Sequence, residues 1–147
     1  MTPRTRVAVL HGVNLDALDR RPAHHYGDLT FVELESQIGR YAGEMGLEAK
    51  FFHTNFEGEY VEELHRAPEY ADGLLLNPGA WTHYAWALRD AVEVAGLPAV
   101  EVHLSDVHAR EDFRKLSVLE GVVVGRVYGK GVEGYRDALM QLKAALA

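Results

Sequence analysis

Apolar residues gather in short runs, and the stretches between them carry apolar positions at helical rather than alternating spacing. Val7 to His11 reads as a buried strand. Thr30-Phe-Val-Glu33 is a capping-box pattern: the Thr hydroxyl can accept the Glu backbone N–H while the Glu side chain reaches back, so the pattern opens a helix. Phe31, Leu34, Ile38, Tyr41 and Met45 then recur on one helical face, and Gly46 supplies the stop. Leu47 to His53 reads as a second strand, and Glu57 to Ala67 as a helix ended by Pro68. A third strand covers Leu74 to Asn77, followed by a helix from about Thr82 to Ala95 with Gly96 behind it. A fourth covers Ala99 to Leu104, before a short helix around Glu111 to Leu116. The fifth lies within Gly121 to Tyr128, and a last helix runs from about Val132 to Leu146.

Strands separated by helical crossovers form a parallel sheet covered on both faces. The expected architecture is an α/β three-layer sandwich, a flavodoxin-like fold with five parallel strands in the order 2-1-3-4-5. With 147 residues and no linker, repeat or low-complexity stretch, residues 1–147 are expected to form a single catalytic domain.

Composition narrows the class. Hydrophobic residues make up 48% and charged residues 25%, the balance of an ordinary globular protein. There is no Cys, so no disulfide framework and no thiolate nucleophile, and a reducing cytoplasmic setting is expected. Met1 to Arg6 carries two arginines, but the apolar run after it is too short for a signal-peptide core, and no later run approaches a membrane span. A net charge of −7 argues against nucleic acid as the partner. It also disfavours an anionic ligand unless positive charge is concentrated locally. Arg20 and Arg21 in one segment, and Arg110 and Arg114 in another, supply that concentration if the fold joins them.

Open parallel sheets bind ligands beyond the carboxyl ends of their strands. Asn14 follows the first strand, Asn77 closes the third, and His103 stands near the end of the fourth. Glu101 and His103, two apart on a strand, share a sheet face. A carboxylate beside an imidazole fixes its tautomer, which suits a general acid; a buried ion pair is the plainer reading. In Asn77-Pro-Gly-Ala-Trp-Thr-His83, Pro and Gly shape a tight connection whose backbone N–H groups can meet an oxygen, or which is simply a strand-to-helix loop. Leu18 to Gly27 is long, polar and rich in Arg and His, the composition of a lid, a binding loop or a disordered stretch. Within it Arg21 precedes Tyr26, and a guanidinium beside a phenol favours the phenolate, although a lone tyrosine is more often a packing residue. Gly129-Lys-Gly-Val-Glu-Gly134 matches a dinucleotide fingerprint but belongs to the last βα unit, with no room for the acidic ribose ligand, so close helix–strand packing is the better use. The eight histidines lack metal-ligand spacing.

Two non-enzymatic classes share this fold. A phospho-acceptor receiver needs Asp at the end of its third strand, where Asn77 stands. An FMN module needs a Ser/Thr-rich loop after the first strand, and Gly12 to Leu18 has neither residue.

Taken together, Gly12-Val-Asn14-Leu15, Arg21 through Tyr26-Gly27, Asn55 through Gly58 and Asn77 to His83 resemble type II 3-dehydroquinate dehydratase. So do Ala87-Leu-Arg-Asp90-Ala91, Glu101-Val-His103-Leu-Ser105, Val107 to Glu111 with Phe113-Arg114, and Gly129 to Tyr135. The resemblance covers essentially the whole chain. It implies a flavodoxin-like fold, a homododecamer built from trimers, and reversible elimination of water from 3-dehydroquinate to 3-dehydroshikimate in the shikimate pathway or quinate breakdown. It implies no metal or organic cofactor, and a paralogue that binds a related carboxylate without turnover is the alternative. It also implies that Tyr26 is the base, with Arg21 assisting its ionisation, and that Asn14 and the backbone after Gly79 hold a water against the enolate. His103, oriented by Glu101, would be the acid. Asn77, Leu104 and Ser105 would bind the carboxylate, His83 and Arg114 the ring hydroxyls, with Arg110 adding charge near the base and Asp90 reaching in from a neighbouring subunit.

The sequence departs from that family's pattern in places. His11 and Val13 replace the usual Asn and Pro, Asp19 a lid glycine, Trp81 a Tyr, Asp106 an Asn and Glu120 a Ser, while Pro22 is displaced by one position. Asp for Gly and a Pro both stiffen backbone, so these changes bear on lid closure and turnover.

Overall fold

The computed structural model describes residues 2–26 and 28–147. Met1 and Gly27, the first residue of the N-terminal segment and the last of the polar lid, lie outside the described residues.

Five parallel strands, β1 (Arg6–His11), β2 (Glu48–His53), β3 (Gly73–Asn77), β4 (Ala99–Val102) and β5 (Gly125–Val127), form one sheet in the order β2-β1-β3-β4-β5. The expected flavodoxin-like topology is therefore the one observed. Alternation along the central strands sends side chains to two apolar layers. Val7, Val9, Leu75, Val100 and Val102 meet α2 (Phe31–Glu44) and α5 (Glu133–Leu146). Ala8, Leu10, Leu74, Leu76 and Ala99 meet α3 (Glu57–Arg66) and α4 (Trp86–Ala95). A one-turn helix, α1 (Ala23–Tyr26), precedes α2.

The capping box forms in full, with Thr30 Oγ1 accepting from Glu33 N and the Glu33 carboxylate accepting from Thr30 N. Gly46 and Gly96 both take positive φ behind their helices. Two helices depart from expectation. The one expected from Thr82 begins at Trp86, because Gly79–His83 winds as a 3-10 turn with Thr82 turned into the core. The one expected around Glu111 to Leu116 is two 3-10 turns, Val107–Ala109 and Asp112–Lys115, the second with no buried side chain to hold a longer helix.

The loops after β1 and β3 approach backbone to backbone. A Cβ on Gly12 would stand 2.3 Å from the Pro78 carbonyl oxygen, and one on Gly79 (φ 66°) 2.6 Å from that of Val13. Only glycines allow this approach, and it fixes the floor of a pocket at the strand ends.

Candidate active site

Residues from three separate connections converge at the carboxyl edge of the sheet. Arg21 and Tyr26 come from the segment before α2, Asn77, Gly79, Ala80 and His83 from the β3–α4 connection, and His103, Leu104, Ser105, Val107, Arg110 and Arg114 from the segment after β4. With Leu15 they line a pocket open to solvent on one side.

The polar segment before α2 packs against the core and the pocket. The Pro22 carbonyl accepts from both His25 N and Tyr26 N at 3.1 Å, so the proline starts the single turn of α1 that presents Tyr26. Leu18 and Tyr26 are buried against the α2 side of the core. The Tyr26 hydroxyl accepts from Arg21 Nη2, and from Arg110 Nη1 at 2.6 Å. Both guanidiniums also lie against its ring, at 3.8 and 5.3 Å from the centroid. Burial, together with the charges of Arg110 and Arg114, holds the Arg21 guanidinium below its ordinary value, partly offset by Tyr26. The two arginine segments separated in sequence thus meet on one phenol oxygen.

Opposite them, His103 Nε2 lies 2.5 Å from Glu101 Oε2. A carboxylate can only accept, so Nε2 carries the proton and Nδ1 is left for the pocket. His103 N still donates to Val127 O at 2.9 Å, which continues the strand pairing and keeps Glu101 and His103 on one face. Glu101 is fully buried. Burial pushes its carboxyl up, but donation from His103 and Thr82 and the charges of His103 and Arg126 outweigh it and hold the group at about 2. Ser117 Oγ (2.7 Å) and Arg126 Nε (3.0 Å) donate to its other oxygen. Sequence reasoning missed Ser117 and Arg126. The one available signal was an Arg set within the apolar residues of the last strand.

His83 is neutral by placement. Its Nδ1 donates to the Leu116 carbonyl at 2.8 Å, leaving Nε2 as an acceptor, and burial is the main cause that lowers its pKa. Asn77 Oδ1 accepts from Gly79 N at 3.2 Å, and Nδ2 donates to the Tyr135 hydroxyl at 2.9 Å, leaving its second N–H for a ligand. Ser105 Oγ lies 3.4 Å from Arg110 Nη1, and Arg114 Nε donates to Glu111. Gly129 N and Gly131 N donate to the carbonyls of Ser105 and Leu104 at 3.0 and 3.2 Å, so the glycine run serves this loop's backbone.

Three expected site residues are not on the pocket wall: Glu101, fully buried beside His103, Asn14 and Asp90. Asn14 is exposed, in the left-handed region (φ 69°), with its N–H on Asn55 Oδ1 at 2.8 Å. It stands between Val13, which abuts Gly79, and Leu15, which lines the pocket. Asp90 is exposed on α4, outside the residues that enclose the pocket of its own chain. Among the described residues no group of three or more His, Asp or Glu could hold a metal ion, and no helix is long and apolar enough to cross a membrane.

Residues 5–143 match the sequence model of a family described as dehydroquinase class II. A 3-dehydroquinate dehydratase of Pelotomaculum thermopropionicum is 49% identical over 142 residues, covering 97% of this chain and 96% of that protein. The crystal structure of a type II dehydroquinase from Butyrivibrio crossotus superposes with a TM-score of 0.90 at 35% identity, covering 95% of this chain and 97% of that one. That of a type II dehydroquinase from Propionibacterium acnes gives 0.88 at 35% identity, covering 98% and 99%.

Proposed function

The chain belongs to the class II dehydroquinase family, and on that premise we propose that its pocket eliminates water from 3-dehydroquinate to give 3-dehydroshikimate through an enolate. The observation that carries this reading is the pairing, in one pocket, of a phenol oxygen between two guanidiniums with an imidazole backed by a buried carboxylate.

The substrate's hydroxyl and carboxylate sit on the carbon next to the one that loses a proton, and that carbon is next to the ketone. Tyr26, as the phenolate favoured by Arg21 and Arg110, removes the proton. The C–H electron pair moves into the ketone as an enolate, whose oxygen is met by a water held by Asn14 from the rim and by the backbone after Gly79. Collapse of the enolate forms the C=C bond and breaks the C–O bond. His103, as the imidazolium protonated at both nitrogens, gives its Nδ1 proton to the departing hydroxyl, which leaves as water, while Glu101 holds Nε2–H. The free Asn77 N–H, Ser105 Oγ and the Leu104–Ser105 backbone take the carboxylate, while His83 Nε2 and Arg114 take ring hydroxyls. The step needs no metal or organic cofactor, because proton transfers and hydrogen bonds account for every bond made and broken.

Asp90 acts, in this reading, on a neighbouring subunit's substrate, within a homododecamer of trimers in the cytoplasm. Supporting the assembly are Tyr84 and Trp86, exposed by 60% and 57% beside the start of the helix that carries Asp90.

Adding 3-dehydroquinate should produce the ultraviolet absorbance of the conjugated enone product. Silence at high enzyme concentration overturns the dehydration, and thermal stabilisation by the ligand without product marks a non-catalytic paralogue. Tyr26→Phe and His103→Ala should each lower kcat by about 10²- to 10⁴-fold, the range of general acid–base catalysis, with the fold intact. Near-full activity of Tyr26→Phe overturns the base assignment.

A further inference from the structure

Arg126 lies directly across the β4–β5 pairing from Glu101 and donates to its Oε1 at 3.0 Å. Hydrogen bonding alone does not require it. Thr82 and Ser117 hydroxyls already donate to the carboxylate, one to each oxygen, and His103 donates as well. What Arg126 adds is a permanent charge, only 17% exposed, against an anion that is fully buried. The Tyr128 ring, stacked on His108, has its centroid 5.7 Å from the Arg126 guanidinium carbon.

We propose that Arg126 is a positioning residue for the elimination, neutralising Glu101 so that His103 releases its proton to the departing hydroxyl. The inference rests on the reading of His103 as the acid. An imidazolium facing a lone buried carboxylate holds its proton tightly, whereas one facing a carboxylate already neutralised by a guanidinium gives it up more readily. Glu101 and Arg126 face His103 from β4 and β5. From the other elements come His83 after β3, Tyr26 with Arg21 before α2, and Arg110 with Arg114 after β4. Those five groups are unchanged in the Arg126 variants, so a difference in pH profile reports the Arg126 charge.

The limb of the kcat–pH profile on the alkaline side reports the group that must be protonated, here His103. With less positive charge nearby, His103 keeps its proton to higher pH and is a weaker acid. Arg126→Met should therefore move the alkaline limb upward by on the order of one pH unit and lower plateau kcat about 10-fold, with KM changed less than about 3-fold. Arg126→Lys, which retains the charge and one donor for the single bond that Nε makes, should restore both limb and rate. If Arg126→Met does not fold, Arg126→Gln, which keeps a neutral donor, is read for the same shift. Profiles of the folded neutral variant and wild type that overlay overturn the proposal, as does a shift that Arg126→Lys fails to reverse. His103→Ala separates the two readings. Its near-full activity would remove the acid assignment itself, whereas an inactive His103→Ala alongside overlaid Arg126 profiles overturns the Arg126 role alone.

Discussion

Arg110 Nη1 donates to the Tyr26 hydroxyl at 2.6 Å, across 84 positions of the chain. The base is thus held from the segment after β4 as well as by Arg21 on its own segment. A charge-assisted hydrogen bond contributes about 1.5–3 kcal/mol, and the phenolate gains more from it than the phenol does. Arg110→Met should therefore lower kcat by roughly 10- to 100-fold while the thermal midpoint stays near that of the parent. Equal kcat for the two proteins, followed by the enone absorbance, would show that Arg21 alone supports the base.

A second expectation concerns Gly12. A methyl group there meets backbone, the Pro78 carbonyl oxygen at 2.3 Å, and no rotamer can relieve it. Gly12→Ala should destabilise by about 1–3 kcal/mol, the usual cost of overpacking, and pull the Gly79–Ala80 backbone away from Leu15. Denaturant melts give the first effect and kcat the second. A variant of unchanged stability and rate would mean that the two loops separate freely.

The parallel sheet was legible because buried strands and amphipathic helices announce themselves by period. The ends of the strands then named Asn77, His103 and their neighbours. Arg21, Tyr26, Arg110 and Arg114 were legible as a charge concentration without a known place, and the fold joins them. The Glu101 environment was not legible beyond His103. Thr82, Ser117 and Arg126 reach it from three elements, and a hydroxyl or an arginine in sequence carries no mark of the partner it will meet. The helix start at Trp86 was missed for the same reason. Thr82 has the chemistry of a helix cap, but its hydroxyl serves Glu101.

No lysine lines the pocket among the described residues, and Lys50, Lys115, Lys130 and Lys143 belong to other parts of the surface. An imine to the substrate ketone therefore has no amine to form it. Borohydride added with 3-dehydroquinate should leave activity equal to that of a borohydride control without substrate. Substrate-dependent inactivation would point to a covalent route and overturn the enolate mechanism with Tyr26 as base.

The last expectation concerns acid stability. His11 is fully buried, stacked on Phe51 and edge-on to Phe31. Its Nε2 comes within 3.2 Å of Glu35 Oε2 but off the hydrogen-bond line, so neither ring nitrogen has a hydrogen-bond partner among the described residues. Burial lowers its pKa, against a partial rise from Glu35. A group with a depressed cationic pKa costs nothing while it is neutral in both states. As pH falls through the unfolded value of about 6.5, the unfolded chain takes up a proton that the folded chain resists, and stability falls. His11→Asn removes that term, while His83, whose pKa is also lowered, is common to both proteins and cancels. At fixed protein concentration, the thermal midpoint of His11→Asn relative to the parent should therefore rise between about pH 7.5 and pH 5. Parallel midpoint curves over that range would mean that His11 accepts its proton in place, with Glu35 as its partner.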